Sequence, residues 1–531
     1  MSLIGKLTST NAMLTIVFFI ALSFNQFFGN QGIFPIDSFG FFDTGFRILN
    51  GESPFNDYWL VSGPLIDYTQ AFLFLIFGVN WQVYVLNASI LNGVFAVLTC
   101  KLFLDFKLTK KFSFFYTISL AVLAYPISGT PFVDQHSTFL SIISVYLLIL
   151  AIKTEKQSYW FFLPFFLGFA FLSKQVPATY VGLSIVLLIF YNFIFNNKIK
   201  NFKILLTLTI STSIFFIILA LFFYINGISI QNFIEQYINY PREIGQNRYL
   251  KLNYNFKNVI MDFKFIYLVF ILLLIVNINK LFKYKEFYKK INFKLFLISF
   301  LLLASLIQHQ ILTKNQIFIF FLIPLFSAFV HIELLDLNNK YKKYLIFLLV
   351  FMCVFTTFKY HFRFNVERKF HELNNVDFSN SIKATILDKK FKGLNWITPG
   401  KNSKKELLEE IKSIKEIINI LKEDKQKKML ITNYSFFSVL LDESVNGITR
   451  WYPGNDSAFP TKENKSYNVY KKFLLKQIQD KKIVNVYIIS DVSEKNLLDY
   501  LRIECVNKKE IYKHLSKYEI NRKCSDFYGK Q

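Results

Sequence analysis

The chain has 531 residues, 53% of them hydrophobic and 19% aromatic, with a mean hydropathy of +0.34 and a formal net charge of +25. So much apolar side chain exceeds what one soluble core hides, and the apolar runs recur at about the 20-residue length that crosses a bilayer, which points to a polytopic α-helical membrane protein. The positive charge falls in short lysine clusters between those runs and builds no basic stripe, which speaks against a nucleic-acid partner.

The first apolar run, residues 12–29, follows Lys6 and leads into "NQFFGNQGIFP", which has no small-residue cleavage site. It reads as a retained signal anchor with a cytoplasmic N-terminus. Further spans are predicted at 83–104, 112–126, 137–152, 160–173, 176–196, 204–226, 258–279, 292–311, 316–335 and 344–360, about eleven in all. Residues 65–79 are apolar but short and carry Asp67, which predicts a re-entrant or interfacial helix.

Lysines cluster in every second loop: "FKLTKK", "KTEKQ", "NNKIKNFK", "KLFKYKEFYKK" and "NNKYKK". By the positive-inside rule these loops are cytoplasmic, and an odd number of spans places residues 361–531 on the outer side of the plasma (inner) membrane. The expected organisation is a transmembrane domain over 1–360, with a membrane-surface loop at 30–82, and a soluble outer domain over 361–531. The tail alternates helix ("KKELLEEIKSIKEIINILKEDK"), strand ("KMLITNY"), helix ("FFSVLLDE"), aromatic loop ("TRWYPGNDSAFP"), helix ("YNVYKKFLLKQIQD"), strand ("IVNVYIIS") and a further helix. That order predicts a small α/β domain with a mostly parallel sheet, and the absence of a Gly-rich phosphate loop speaks against a nucleotide site. Cys100 and Cys353 lie in apolar spans, while Cys505 and Cys524 lie in the polar tail, where export would allow a disulfide.

The outer loops carry the candidate chemistry. "FPIDSFGFFDTGFRILNGESPFNDYW", residues 34–59, sets Asp37, Asp43 and Asp57 among aromatics, and its helix-like part is expected to face the membrane surface, where an unpaired carboxylate is costly. Gly51 and Pro54 end that helix. "YPISGTPFVDQHSTF" presents Asp134, Gln135 and His136 where the fourth span begins, with Asp134 as a plain N-cap the alternative reading. In "FLSKQVPA", Lys174 either snorkels or meets a lipid phosphate. "LIQHQILTKNQIFIFFLIP" adds His309, Gln310, Lys314 and Asn315. Acids that take a proton from a nucleophile, and cations that hold a phosphate, belong to one reaction type: transfer of a sugar from a lipid phosphate. No HExxH, Cys/His cluster or GxSxG is present, and the charges gather at the outer ends of spans, unlike a transporter's mid-span charges.

The "PID" aspartate after the first span, the "GFRILNGESPF" helix and turn, "GPL…AFLFLIFG", the Asp134 loop, "FLSKQ" and "HQILTKNQIFIFFLIP" together resemble the GT-C integral-membrane glycosyltransferases. The resemblance is to the polyprenyl-phosphate-sugar-dependent group that includes bacterial protein O-mannosyltransferases and the lipid A aminoarabinose transferase. It implies that Asp37 is the catalytic base, that Asp134 supports the site, and that Lys174, His309 and Lys314 hold the donor phosphate. Two departures stand out: "VSGPL" lacks the basic residue that the aminoarabinose transferase carries before its paired prolines, and Ser38 follows Asp37 where many relatives have a second acid. Asp37 and Asp43 both stay open as the base. The soluble tail commonly covers the site in that family, so Trp451 and Tyr452, with Gln135 and His136, are weaker candidates for substrate contact, core packing being the alternative for the two aromatics.

The expected activity is an inverting transfer of one sugar, hexosyl or pentosyl, from a polyprenyl-phosphate donor to a glycan, lipid or protein acceptor on the outer face. A lipid-linked sugar flippase and a glycan ligase or polymerase with a diphosphate donor are the alternatives. The residues name no cofactor and leave a divalent metal open. The partners expected are the donor, the acceptor and membrane lipids.

Overall fold

A computed structural model describes residues 3–124, 129–314, 319–337 and 341–524. The protein is mostly helical and packs as two compact units. The first comprises Met1–Gly29, Val85–Ala220 and Leu252–Phe370, and the second Asn30–Tyr84, Leu221–Lys251 and His371–Gln531.

Each of the eleven predicted spans contains a helix. Among the described residues eight helices are long and apolar enough to cross a membrane: Ser9–Phe28, Trp81–Asp105, Val133–Thr154, Gln175–Phe195, Lys198–Ile225, Lys264–Lys283, Ile291–Thr313 and Lys342–His371. The other three, Lys110–Ala124, Gln157–Ser173 and Leu322–Leu335, are shorter. At about 1.5 Å per residue, 14 to 17 residues reach about 21–26 Å, less than the roughly 30 Å of a bilayer's hydrocarbon.

In the first unit, Val133–Thr154 is buried along nearly its whole length. A helix apolar on all sides belongs inside a bundle, and Ser137, Ser141 and Ser144 let neighbours approach closely. Phe95 stacks on Phe139 at 4.5 Å. Outward-facing Phe202, Phe216 and Ile217 on Lys198–Ile225 are exposed, as lipid-facing side chains are. Ionisable groups are not confined to the outer ends of spans, as the sequence suggested: Glu333 is fully buried, with Lys280 Nζ at 2.5 Å and Asn292 donating at 3.3 Å. Glu333 and Lys280 come from different helices, so neither apolar run shows the pair.

The second unit holds a four-stranded sheet. Strands β1 (Ile382–Lys383) and β2 (Asn395–Trp396) form a separate antiparallel pair, while β3 (Lys428–Ile431), β4 (Asn485–Ile489), β5 (Val506–Tyr512) and β6 (Leu515–Ile520) are ordered β3-β4-β6-β5. Only β3 and β4 pair in parallel; β4 with β6, and β5 with β6, run antiparallel. The sheet is therefore mostly antiparallel, contrary to expectation. The further helix predicted after β4 shrinks to Lys495–Leu498, and the chain returns as a hairpin. The two parallel strands are buried along their length, as parallel strands covered on both faces are. Helix Lys404–Glu423 buries Leu407, Ile411, Ile414, Ile418 and Leu421 along one stripe and starts in a capping box between Ser403 and Glu406. Cys505 and Cys524 form a disulfide.

Loop residues 30–84 belong to this unit and are tied to it. Trp59 N–H donates to the Ile448 carbonyl at 2.7 Å, and its ring lies 5.2 Å from Tyr470 and 5.7 Å from Phe473. Pro64–Phe77 is a short helix with exposed Phe72, Leu75, Ile76 and Phe77, the form expected of an interfacial or re-entrant helix.

Candidate active site

Asp134 lies in the first turn of Val133–Thr154, where a carboxylate meets the positive end of the helix dipole. It is not the N-cap; Phe132 is, without a side-chain cap bond. The carboxylate instead turns to two cation-forming side chains. Lys174 Nζ donates to Asp134 Oδ1 at 2.7 Å and to Oδ2 at 2.9 Å, and His309 Nε2 lies 2.9 Å from Oδ1. Asp134 and His309 are buried, while the Lys174 side chain keeps 21% exposure. This lysine is seated by its backbone: it is extended, as is Val176 two residues on, at the junction of Gln157–Ser173 and Gln175–Phe195, and its carbonyl accepts from Ser137 Oγ at 3.0 Å. Lys174 therefore pairs with an acid, and three segments distant in sequence supply one cluster.

The neighbours divide. Gln135 is buried, and neither side-chain amide atom has a partner among the described residues. His136 points elsewhere: Nδ1 is 3.0 Å from the Phe132 carbonyl and Nε2 3.3 Å from Asn87 Oδ1. Gln310 Nε2 is 3.3 Å from His309 Nδ1. Lys314 is exposed, at positive φ just past the end of Ile291–Thr313. Asn315 lies outside the described residues.

In the second unit, Asp37 stands half-buried on the four-residue helix Pro35–Ser38, with proline starting the turn and Ser38 Oγ accepting from the Phe34 N–H at 2.9 Å. Just before it, Gly32 and Ile33 donate to the carbonyls of Asn395 and Ile397, both at 3.0 Å. Just after it, Phe39 packs against Trp81, Phe391, Trp396 and Phe436, with ring centres 4.9–6.2 Å away. Asp37 is thus held on both sides.

Asp43 is a different kind of acid. Helix Gly40–Leu49 buries Gly40 through Arg47, so this segment does not face the membrane surface as expected; its aromatic rings fill protein interior. The Asp43 carboxylate is 3.7 Å from Arg47 Nη1, and burial raises its pKa. Arg47 also donates from Nε to Glu52 Oε2 at 2.8 Å and from Nη1 to the Gly447 carbonyl at 2.7 Å.

The sequence reading missed a buried pair that fastens this loop. Arg450 Nη2 donates to Asp67 Oδ2 at 2.6 Å and Nη1 to the Ser62 carbonyl at 2.9 Å, and the guanidinium carbon lies 3.9 Å from the centre of the Phe41 ring. Thr44 Oγ1 donates to the other Asp67 oxygen. Burial pushes the Asp67 carboxyl up to about 6 even beside this guanidinium. The only signal was Asp67 itself, an acid inside an apolar run. Tyr452 is packed in the core, 5% exposed, with its hydroxyl accepting from the Ile448 N–H at 3.3 Å, as in the core-packing alternative. Trp451 is half-buried, with the Arg450 guanidinium carbon 5.3 Å from its ring centre. Among the described residues no three His, Cys, Asp or Glu side chains gather as a metal site would need.

No curated protein matches the chain. Residues 61–220 match the family described as dolichyl-phosphate-mannose-protein mannosyltransferase, a stretch that includes Asp134 and Lys174 but not Asp37, Asp43 or His309. With eight helices among the described residues long and apolar enough to cross a membrane, the protein is similar over that stretch to the membrane glycosyltransferases that draw their sugar from a lipid-linked donor.

Proposed function

We propose that the protein transfers one sugar, with inversion, from a polyprenyl-phosphate donor in the outer leaflet to a hydroxyl or amine of a glycan, lipid or protein acceptor. The observation that carries this reading is the Asp134, Lys174 and His309 cluster. An ammonium has three N–H donors; the Asp134 carboxylate takes two of them, which leaves the third to a donor phosphate. Asp134 then acts as a positioning residue that sets the direction of that third N–H, and Lys174 and His309 oppose the negative charge that grows on the phosphate as the bond from the sugar carbon to the phosphate oxygen breaks.

Attack of the acceptor oxygen or nitrogen on the face of that carbon opposite the leaving phosphate inverts its configuration, and Asp37, in the second unit, is the candidate base for the acceptor proton. Asp43 is the harder base for an acceptor to reach, because its carboxylate is buried and faces Arg47. Lys314, exposed just past the end of Ile291–Thr313, is a further candidate cation for the donor phosphate. The outer placement of residues 361–531 is supported by the alternating lysine loops and by the Cys505–Cys524 disulfide, a bond that oxidising compartments favour. In this reading residues 1–360 form the transferase domain in the plasma (inner) membrane.

The test is donor turnover by the purified full-length protein given synthetic polyprenyl-phosphate mannose. Release of polyprenyl phosphate together with glycosylated acceptor is expected. Consumption of a polyprenyl-diphosphate sugar instead, with the monophosphate untouched, would replace this reading with the ligase one.

A further inference from the structure

The lysine-rich loops that mark alternate connections do more than set orientation. Three of them, 153–157, 196–203 and 280–290, meet within the first unit around a cavity of about 230 Å³. Lys153, Lys200, Lys289 and Lys294 line it, and Glu155 is the one acid in its wall. Lys200 answers that acid at 2.5 Å, and Lys289 pairs with Glu286.

Among the described residues Lys294 has no such partner. It is 6% exposed, and its Nζ donates to the neutral Asn192 Oδ1 at 2.6 Å. A desolvated cation whose direct partner is a neutral amide lacks the close counter-charge that burial calls for, and Glu155, which also acts on it, is already paired with Lys200. In the same wall, Asn196 Nδ2 is a buried donor with no partner among the described residues. Orientation by positive loops requires exposed lysines only; it does not require a buried one, nor an unsatisfied N–H beside it.

We infer that this cavity binds the phosphate group of an anionic membrane lipid, with Lys294 and Asn196 as its inner donors and Lys153, Lys200 and Lys289 at its rim. A phosphate supplies several acceptor oxygens and the missing negative charge, and basic pockets between transmembrane helices suit such head groups. The lysine alternation places the cavity on the cytoplasmic side, opposite the proposed transfer chemistry. The binding measurement below depends on neither that side nor the transferase reading.

The experiment is native mass spectrometry of the full-length protein titrated with phosphatidylglycerol or phosphatidylcholine, alongside thermal protection by inorganic phosphate. Wild type should hold one phosphatidylglycerol about tenfold more tightly than phosphatidylcholine, as one charge-assisted contact allows. Lys294→Gln should remove the preference. Because a buried substitution can impair folding, the rim pair Lys200→Gln/Lys289→Gln, at more exposed positions, should weaken it several-fold independently. Protection of wild type but not of Lys294→Gln by inorganic phosphate, without lipid selectivity, would support the phosphate site with the free ion as its occupant. Equal retention of both lipids with no phosphate protection, or a preference unchanged in both variants, would overturn the proposal.

Discussion

Replacing Arg450 by methionine tests what holds the first loop. The substitution keeps an unbranched stem against Phe41 and removes the charge, leaving the Asp67 carboxylate fully buried with Thr44 as its remaining hydrogen-bond donor of those described above. Removing one partner of a buried ion pair costs about 3–5 kcal/mol, of which the lost hydrogen bond to the Ser62 carbonyl accounts for about 1 kcal/mol. Against a typical total stability of roughly 5–15 kcal/mol, that loss is large. It should also depend on pH. Asp67 already sits at about 6 beside the guanidinium, and without it the folded-state value rises further above that of the unfolded chain, about 3.9. The folded variant then binds more protons than the unfolded one, so its stability falls as pH rises, and the defect relative to wild type should be larger at pH 8 than at pH 5. Asp67→Asn added to Arg450→Met removes the stranded charge and should recover part of the loss at pH 8. The assay is the half-life of the purified protein against heat at both pH values, since unfolding of a membrane protein is read as a rate. A double variant no more stable than Arg450→Met, together with a defect equal at both pH values, would refute the reasoning.

Asp37→Asn should cut single-turnover transfer by about 10²–10⁴-fold with donor binding retained, as expected for loss of a general base, and Asp43→Asn should be milder in rate while lowering thermal half-life. If Asp43→Asn alone is dead and well folded, the two roles exchange. Lys174→Met should weaken donor binding about tenfold and leave the protein folded; unchanged donor affinity would confine Lys174 to pairing with Asp134. A reporter active only in the cytoplasm, fused after Gln531, should stay silent, and activity there would mean that the number of spans is wrong by one.

Features that a short stretch carries within itself were legible. The apolar runs become helices because a run long enough to cross a bilayer must satisfy its own backbone, and the stripe Leu407, Ile411, Ile414, Ile418, Leu421 announces its helix by spacing alone. Asp37, just after the first span, and Asp134, at the start of the fourth, stood out in the sequence only as acids close to apolar runs, which made them candidates and named no partner for either. The hairpin of β5 and β6 could not, since β5 is an exposed edge strand rich in lysine and shows no apolar alternation. Nor could the partners. Asp134 and Lys174 lie 40 residues apart, and Asp67 and Arg450 lie 383 apart. An ion pair leaves no periodicity in either of the segments it joins, so only the packing of helices, and of the first loop onto the tail, decided that Lys174 faces an acid, that Tyr452 is core, and that Arg450 serves Asp67.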